Sequence, residues 1–216
     1  MSISSYYPYS YGSYQPGTVA WTYDITVPPA NLPLSLALVK EHLRLDAADT
    51  SQDTYLTLLI NAATEYCQNV TGLTLIDTTF QTFRDGFYSG ICLERTPFSS
   101  LVSVERLVDN VWTAVSTDVY YVSDEFPYAK VLTQDNQCWP DDEDGIRQSV
   151  RATFVAGYGA DDTSVPSDIK IALLNHIAAL YENRGDCAED MIPQTTKTIY
   201  GNNKIIRIDL SHGDVW

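Results

Sequence analysis

Val165-Pro166-Ser167-Asp168-Ile169-Lys170 opens, and Leu180-Tyr181-Glu182-Asn183-Arg184-Gly185 closes, a segment that reads as one complete helix. Proline suits a first helical turn, where its missing N–H has no intrahelical partner to lose, and glycine reaches the left-handed conformation that ends a helix. Between Pro166 and Gly185, Ile169, Leu173, Ile177 and Leu180 recur at helical spacing and form one apolar stripe. Just upstream, Ala156-Gly157-Tyr158-Gly159 interrupts the chain with two glycines.

Working outward, two more helices are marked near the front. Ser35 is a candidate N-cap for a segment reaching about residue 45, with Leu36, Val39 and Leu43 on one face and Lys40, Glu41 and Arg44 turned mostly to water. Thr50-Ser51-Gln52-Asp53 is a polar start signal for the next. There Leu56, Leu59, Ile60, Ala63, Cys67 and Val70 repeat at steps of three and four until Thr71-Gly72 stops the pattern.

Between these helices and the last, over residues 78–157, the period shifts to two. Val150, Ala152, Phe154 and Ala156 alternate with Ser149, Arg151, Thr153 and Val155, as in a half-buried strand. Further strands are expected over 80–84, 91–94, 101–108, 112–115, 119–123 and 130–133, with Asp85-Gly86 and Asp109-Asn110 as turns. The expected fold class is α+β: a bundle of about three main helices, 33–77 and 158–190, with a small antiparallel β module, 78–157, inserted in it.

Both ends read differently. Residues 1–32 begin with a Tyr-dominated low-complexity tract, in which Pro and Gly prevent a regular helix. A disordered tail and a flexible partner-binding arm both fit, and the aromatic content of Tyr6, Tyr7, Tyr9, Tyr11 and Tyr14 favours the arm. Over 191–216, Lys197-Thr198-Ile199-Tyr200 and Lys204-Ile205-Ile206-Arg207-Ile208-Asp209-Leu210 flank Gly201-Asn202-Asn203, which suggests a hairpin that pairs with another sheet. Ile199, Tyr200, Ile205, Ile206, Ile208 and Trp216 are its candidate docking residues, on a partner or on a neighbouring subunit.

Composition bounds the chemistry. A chain of 216 residues buries enough surface for one core or two small ones without staples. Cys67, Cys92, Cys138 and Cys187 form no C-x-x-C pair, so neither zinc nor a redox motif is signalled and free thiols are expected. The net charge is −15, with 13 Lys and Arg against 28 Asp and Glu, which opposes a nucleic-acid clamp because that affinity comes from neutralising phosphates. Acidity of this degree also keeps a chain soluble.

Site motifs are correspondingly absent. The run Asp141-Asp142-Glu143-Asp144-Gly145 fails as a calcium loop, since alignment on Gly145 puts Pro140 at the first ligand and Arg151 where the bidentate Glu belongs. Asn69-Val70-Thr71 matches a glycosylation sequon but falls at a helix end. His42, His176 and His212 are scattered, and His176 lies beside an apolar stripe where a packing role is commonest. No catalytic, cofactor-binding or metal residue is assigned, no cofactor is expected, and no run is long and apolar enough for a membrane span.

Taken in order, the opening helix from Ser35 to Asp46, the long helix running into Thr71-Gly72, and the Ala156-Gly157-Tyr158-Gly159, Val165-Pro166 and Leu180 to Gly185 strings resemble the head-to-tail connector (adaptor, head completion) proteins of tailed bacteriophages. The resemblance covers about residues 33 to 185. Leu93-Glu94-Arg95-Thr96-Pro97-Phe98 and Trp139-Pro140 are similar to runs in larger connector relatives.

The resemblance implies a structural virion protein made in the host cytoplasm and placed in the neck. Its copies would form a ring, a dodecamer in the family pattern, beneath the portal protein and against tail, stopper or nozzle proteins. Genome DNA would pass through the ring without specific binding. The competing expectation is a virion carbohydrate- or receptor-binding module, suggested by four Trp, 15 Tyr and many carboxylates.

Overall fold

The computed structural model describes residues 22–87, 90–124, 127–140, 147–184 and 192–205. Among them the chain is α+β, with four α-helices and two antiparallel sheets. The helices are α1 (Leu36–His42), α2 (Asp53–Thr71), α3 (Ser167–Glu182) and α4 (Gln194–Asn202). The strands are β1 (Thr22–Val27), β2 (Thr78–Arg84), β3 (Ile91–Leu93), β4 (Phe98–Val108), β5 (Val111–Ala114), β6 (Tyr120–Ser123), β7 (Ala129–Thr133) and β8 (Val150–Ala156).

The helices share one apolar core. Leu56, Ile60, Ala63 and Cys67 of α2 meet Ile169, Leu173 and Ile177 of α3, with Leu34 and Val39 closing one end and Tyr200 of α4 the other. Each Leu or Ile so buried contributes about 1.5–3 kcal/mol. Two predicted ends hold, since the Ser35 hydroxyl accepts from the Leu38 N–H at 3.3 Å and Gly72 closes α2 at φ +79°, whereas α1 stops at His42, short of the expected residue 45. Pro166 caps α3, which ends at Asn183, while Gly185 lies outside the described residues.

Three expectations about this layer are corrected. Lys40 does not face water: it is 5% exposed, and its ammonium pairs with Asp53 at 2.6 Å and donates to the Asp49 carbonyl at 2.8 Å. Its aliphatic stem lies along the helix packing while its head ties the α1–α2 loop down. Secondly, the strand-like run at 197–200 is helical, part of a fourth helix, α4. Thr196 and Tyr200, one helical turn apart, are both buried against α2 and α3, so tertiary packing overrides β propensity there. Thirdly, residues 22–27 are not part of a free arm but a strand on the sheet edge.

The β part holds a separate core between two sheets. The five-stranded sheet has the order β1-β2-β8-β4-β5 and the three-stranded sheet β3-β7-β6. All the strands expected from alternation form, and β1 is added. Phe80, Val104, Val150, Ala152 and Phe154 face Ile91, Leu93, Ala129 and Val131 across the interior. Asp109 and Asn110, at φ +51° and +62°, turn β4 directly into β5 as a two-residue hairpin loop.

Candidate assembly surfaces

The short strings that the sequence singles out converge where the two cores meet. After α2, residues 73–77 run alongside Thr96 and Pro97: the Thr74 N–H donates to the Thr96 carbonyl at 2.8 Å, and the Gly157 N–H donates to the Pro97 carbonyl at 2.9 Å. The Thr96–Pro97 peptide is cis. The Asp77 N–H donates to the Gly159 carbonyl at 2.9 Å. Gly157 sits at φ +151°, and a β-carbon there would lie 2.6 Å from the Asp77 α-carbon and from the Ile76 carbonyl carbon. Only glycine lets the backbone leaving β8 press this closely on the segment entering β2. The Ala-Gly-Tyr-Gly string is thus a seam between modules, without exposed chemistry.

A second cluster joins the first turn of α2 to the last turn of α3. Gln52 Oε1 accepts from the Tyr181 hydroxyl at 2.8 Å and from Arg184 Nη2 at 2.9 Å. The Arg184 guanidinium stands 4.2 Å from the Tyr181 ring centroid and 4.5 Å from that of Tyr55. A planar cation between two aromatic faces fixes the crossing of the two helices. The closing Leu180 to Gly185 string therefore carries an interhelical clamp. Gln52, committed here, makes no capping bond to α2.

Buried titratable groups gather between α2, α3 and α4. His176 is 3% exposed, with the Tyr66 ring edge-on at 5.1 Å and its Nδ1 3.4 Å from the Tyr200 hydroxyl. Burial lowers its pKa and holds the imidazole neutral. Burial likewise pushes the Cys67 thiol up to about 12 and raises the Tyr200 phenol. An unreactive thiol, a neutral imidazole and a neutral phenol, all sealed from solvent, make a packing cluster, as expected for His176. Among the described residues, no three His, Cys, Asp or Glu side chains gather as a metal-holding group.

The residues proposed for docking separate into two sets. Tyr200 is 1% exposed inside the helical core, Ile199 and Ile205 pack against it, and the Ile205 N–H donates to the Thr71 carbonyl at 2.7 Å. These three are spent within the subunit, because a helix has replaced the first half of the expected hairpin. Ile206, Ile208 and Trp216, like Tyr6, Tyr7, Tyr9, Tyr11 and Tyr14, lie outside the described residues, as does the acidic run from Asp141 to Asp144.

What the subunit offers to partners is polar and acidic. Several of its 13 cations are engaged internally: Lys40 with Asp53, Arg84 on the Cys92 carbonyl at 2.8 Å, Arg95 over Tyr23, Arg151 with Glu105 at 2.7 Å, and Arg184 in the clamp. The hydrogen bond from Arg151 is the main cause that holds the Glu105 carboxyl below its usual range. The large aromatics are engaged too. Trp112 lies under Arg151 at 4.3 Å, and Trp139 stacks on Phe87 at 4.6 Å. The large apolar groups left exposed among the described residues are Leu58, Tyr66 and Ile171 on the helices and Ile25, Val27, Val102, Val111 and Tyr121 on the strands, with Ile25 and Val27 on β1 and Val111 on β5, the two edges of the five-stranded sheet. Sequence reading missed β1, although Tyr23, Ile25 and Val27 alternate with polar residues just before Pro28-Pro29.

These features define an α+β subunit in which the Ala156 to Gly159 and Leu180 to Arg184 strings secure its own architecture. Residues 33–100 match the family described as "Phage gp6-like head-tail connector protein", which spans α1, α2 and the start of the β part. The fold as a whole is similar to a chain in the neck of an empty gene transfer agent particle computed with C6 symmetry, with TM-score 0.73 and 21% identity over 87% of this chain and 97% of that one. A chain of the native gene transfer agent virion matches with TM-score 0.72 and 20% identity over 86% and 96%. A third, in the native neck computed with C12 symmetry, has TM-score 0.67 and 23% identity over 87% and 96%. No curated protein matches the sequence. The resemblance to head-to-tail connector proteins therefore rests on the sequence of the helical front and on a fold matched along nearly the full length of neck proteins.

Proposed function

We propose that this chain is a structural virion protein, a head-to-tail connector whose copies form a ring beneath the portal, join capsid to tail and line the DNA exit channel. The observation that carries this reading is the connector-family match over residues 33–100, together with a fold that covers 97% of a neck chain of a phage-like particle. A neck computed with C12 symmetry among the similar structures supports a ring of twelve. The physical role is geometric. Rigid subunits, braced by the glycine seam and the Arg184 clamp, meet head-to-tail in a heterologous contact that closes. The net charge of −15, with its cations drawn into internal contacts, gives passing DNA little to hold. The portal above, stopper or nozzle and tail proteins below, and the absence of catalysis belong to the same proposal.

The carbohydrate-binding reading finds no support among the described tryptophans, since Trp112 is engaged by Arg151 and Trp139 stacks on Phe87. The test is to incubate the purified chain with portal-bearing heads that lack necks, and separately with a glycan panel. Rings seen at the portal vertex by electron microscopy, with recovery of tail attachment, are the expected result. Bare vertices, or saturable glycan binding without head association, would overturn it.

A further inference from the structure

α4 is a nine-residue helix held to α2 and α3 around one side chain, the buried Tyr200, with Ile199 and Ile205 packed beside it. Polar ties run along the same contact: Thr196 Oγ1 donates to the Ala172 carbonyl at 3.4 Å, Asn203 Nδ2 to Asp168 at 2.9 Å, and the Ile205 N–H to the Thr71 carbonyl at 2.7 Å. The packing of α2 on α3 has its own supports. Leu56 and Ile60 meet Leu173 and Ile177, and the Arg184 clamp sits at Gln52 and Tyr55, about three helical turns along α2 from Tyr66. Loss of α4 would leave both in place.

His176 lies directly against that anchor. Its Nδ1 is 3.4 Å from the Tyr200 hydroxyl, and the Tyr66 ring, itself 6.2 Å from that of Tyr200, stands edge-on to the imidazole. The titratable groups gathered there are neutral: Tyr66 and Cys67 from α2 and Tyr200 from α4. On α3 itself the positions three and four residues from His176 are Ala172, Leu173, Ala179 and Leu180. The charged residues of these elements around the contact are Glu65, exposed on α2, Asp168, bonded to Asn203, half-exposed Lys170 and Lys197, and exposed Lys204. Burial alone lowers the imidazole's pKa, with no charge contributing. A proton placed on His176 in the closed structure would be a buried cation without an anionic partner, which costs far more than the same cation in water.

We propose that His176 is an acid-sensitive latch for α4: neutral, it seats Tyr200, and on protonation the helix lifts from α2 and α3 as a unit while those two stay packed. Opening hydrates the imidazolium and uncovers the apolar surface that Ile199, Tyr200 and Ile205 fill. A short element opens locally at a lower cost than the whole domain unfolds, so acid acts there first. In the open state His176 takes its proton with the ordinary affinity, near pH 6.5, and in the closed state less readily. Opening is therefore favoured as pH falls below that value, by up to about tenfold per pH unit. The inference does not use the ring reading and is tested separately from it.

The test is hydrogen exchange of the full-length chain between pH 7 and 5, read by mass spectrometry and corrected for the intrinsic pH dependence of amide exchange. Peptides from α4 should open up to about tenfold more per pH unit below 6.5, while those from the facing sides of α2 and α3 keep their protection. His176→Phe should remove the acid response of α4. Unchanged protection of α4 at pH 5, equal loss in all three helices, or the same acid response in H176F would overturn the latch. Should H176F fail to fold, NMR of the wild-type chain decides: a His176 titration below the ordinary range that moves together with the Tyr200 ring signals supports the proposal. An imidazole that takes up its proton while the Tyr200 signals stay fixed would overturn it.

Discussion

Gly157→Ala isolates the seam between the two cores. The added methyl would sit 2.6 Å from the Asp77 α-carbon and from the Ile76 carbonyl carbon, and it would impose an L side chain at φ +151°. Backbone held in so unfavourable a region costs on the order of 1–3 kcal/mol. The neighbours are backbone atoms and cannot swing away as a side-chain tip would, so overpacking adds about 1–3 kcal/mol. The combined loss, roughly 2–6 kcal/mol, is a large part of the ~5–15 kcal/mol of a typical domain. It corresponds to a fall of roughly 5–20 °C in Tm for a chain of this size. Relief by displacement would stretch the 2.9 Å bonds from Gly157 to Pro97 and from Asp77 to Gly159, so strain and lost bonding trade against each other.

Thermal and urea unfolding followed by circular dichroism measures this directly, and Gly201→Ala is the matched control. Gly201 lies in α4 with nothing within 4 Å of an added β-carbon, so alanine should stabilise by up to ~1 kcal/mol through helix propensity. A Gly157→Ala protein within about 0.5 kcal/mol of wild type would mean that the segments around 77 and 157 do not press together as described, and the reasoning would fail.

Two further outcomes follow from the sealed cluster between α2, α3 and α4. The folded-state pKa of His176 is depressed by burial, so the unfolded chain binds the proton more readily, and stability is lost as pH falls below the imidazole's ordinary 6.5. The slope cannot exceed about 1.4 kcal/mol per pH unit from this group, and urea titrations of wild type and His176→Phe between pH 7 and 5 should differ in that sense; equal slopes would refute the assignment. With its thiol pushed up to about 12, Cys67 should react with a disulfide reagent at pH 8 on the order of 10³-fold or more slowly than exposed Cys138, read by peptide mapping of the labelled native protein.

The helical frame was legible because its signals are local and redundant. Ser35 and Gly72 are caps whose geometry follows from residue type, and the stripes of α2 and α3 have a period no strand can share. The strands of 78–156 were legible for the same reason, with alternation and turn residues such as Asp109-Asn110 agreeing. The sandwich of two sheets was not, because pairing such as β2 with β8 joins segments about seventy residues apart and leaves no mark on either alone. Nor could the sequence reveal that Tyr181 and Arg184 converge on Gln52, or that Lys40 reaches Asp53, because those partners are set by how helices cross.

The C-terminal misreading shows where local signals stop deciding. Lys197-Thr198-Ile199-Tyr200 is rich in β-branched and aromatic residues, yet Thr196 and Tyr200 also satisfy a helical spacing, and Pro193 provides a helix start. Neither period is long enough to exclude the other. The decision falls to tertiary contacts: Thr196 bonds to the Ala172 carbonyl, Asn203 to Asp168, and Tyr200 fills space beside His176 and Tyr66 that only a helix can reach from α3.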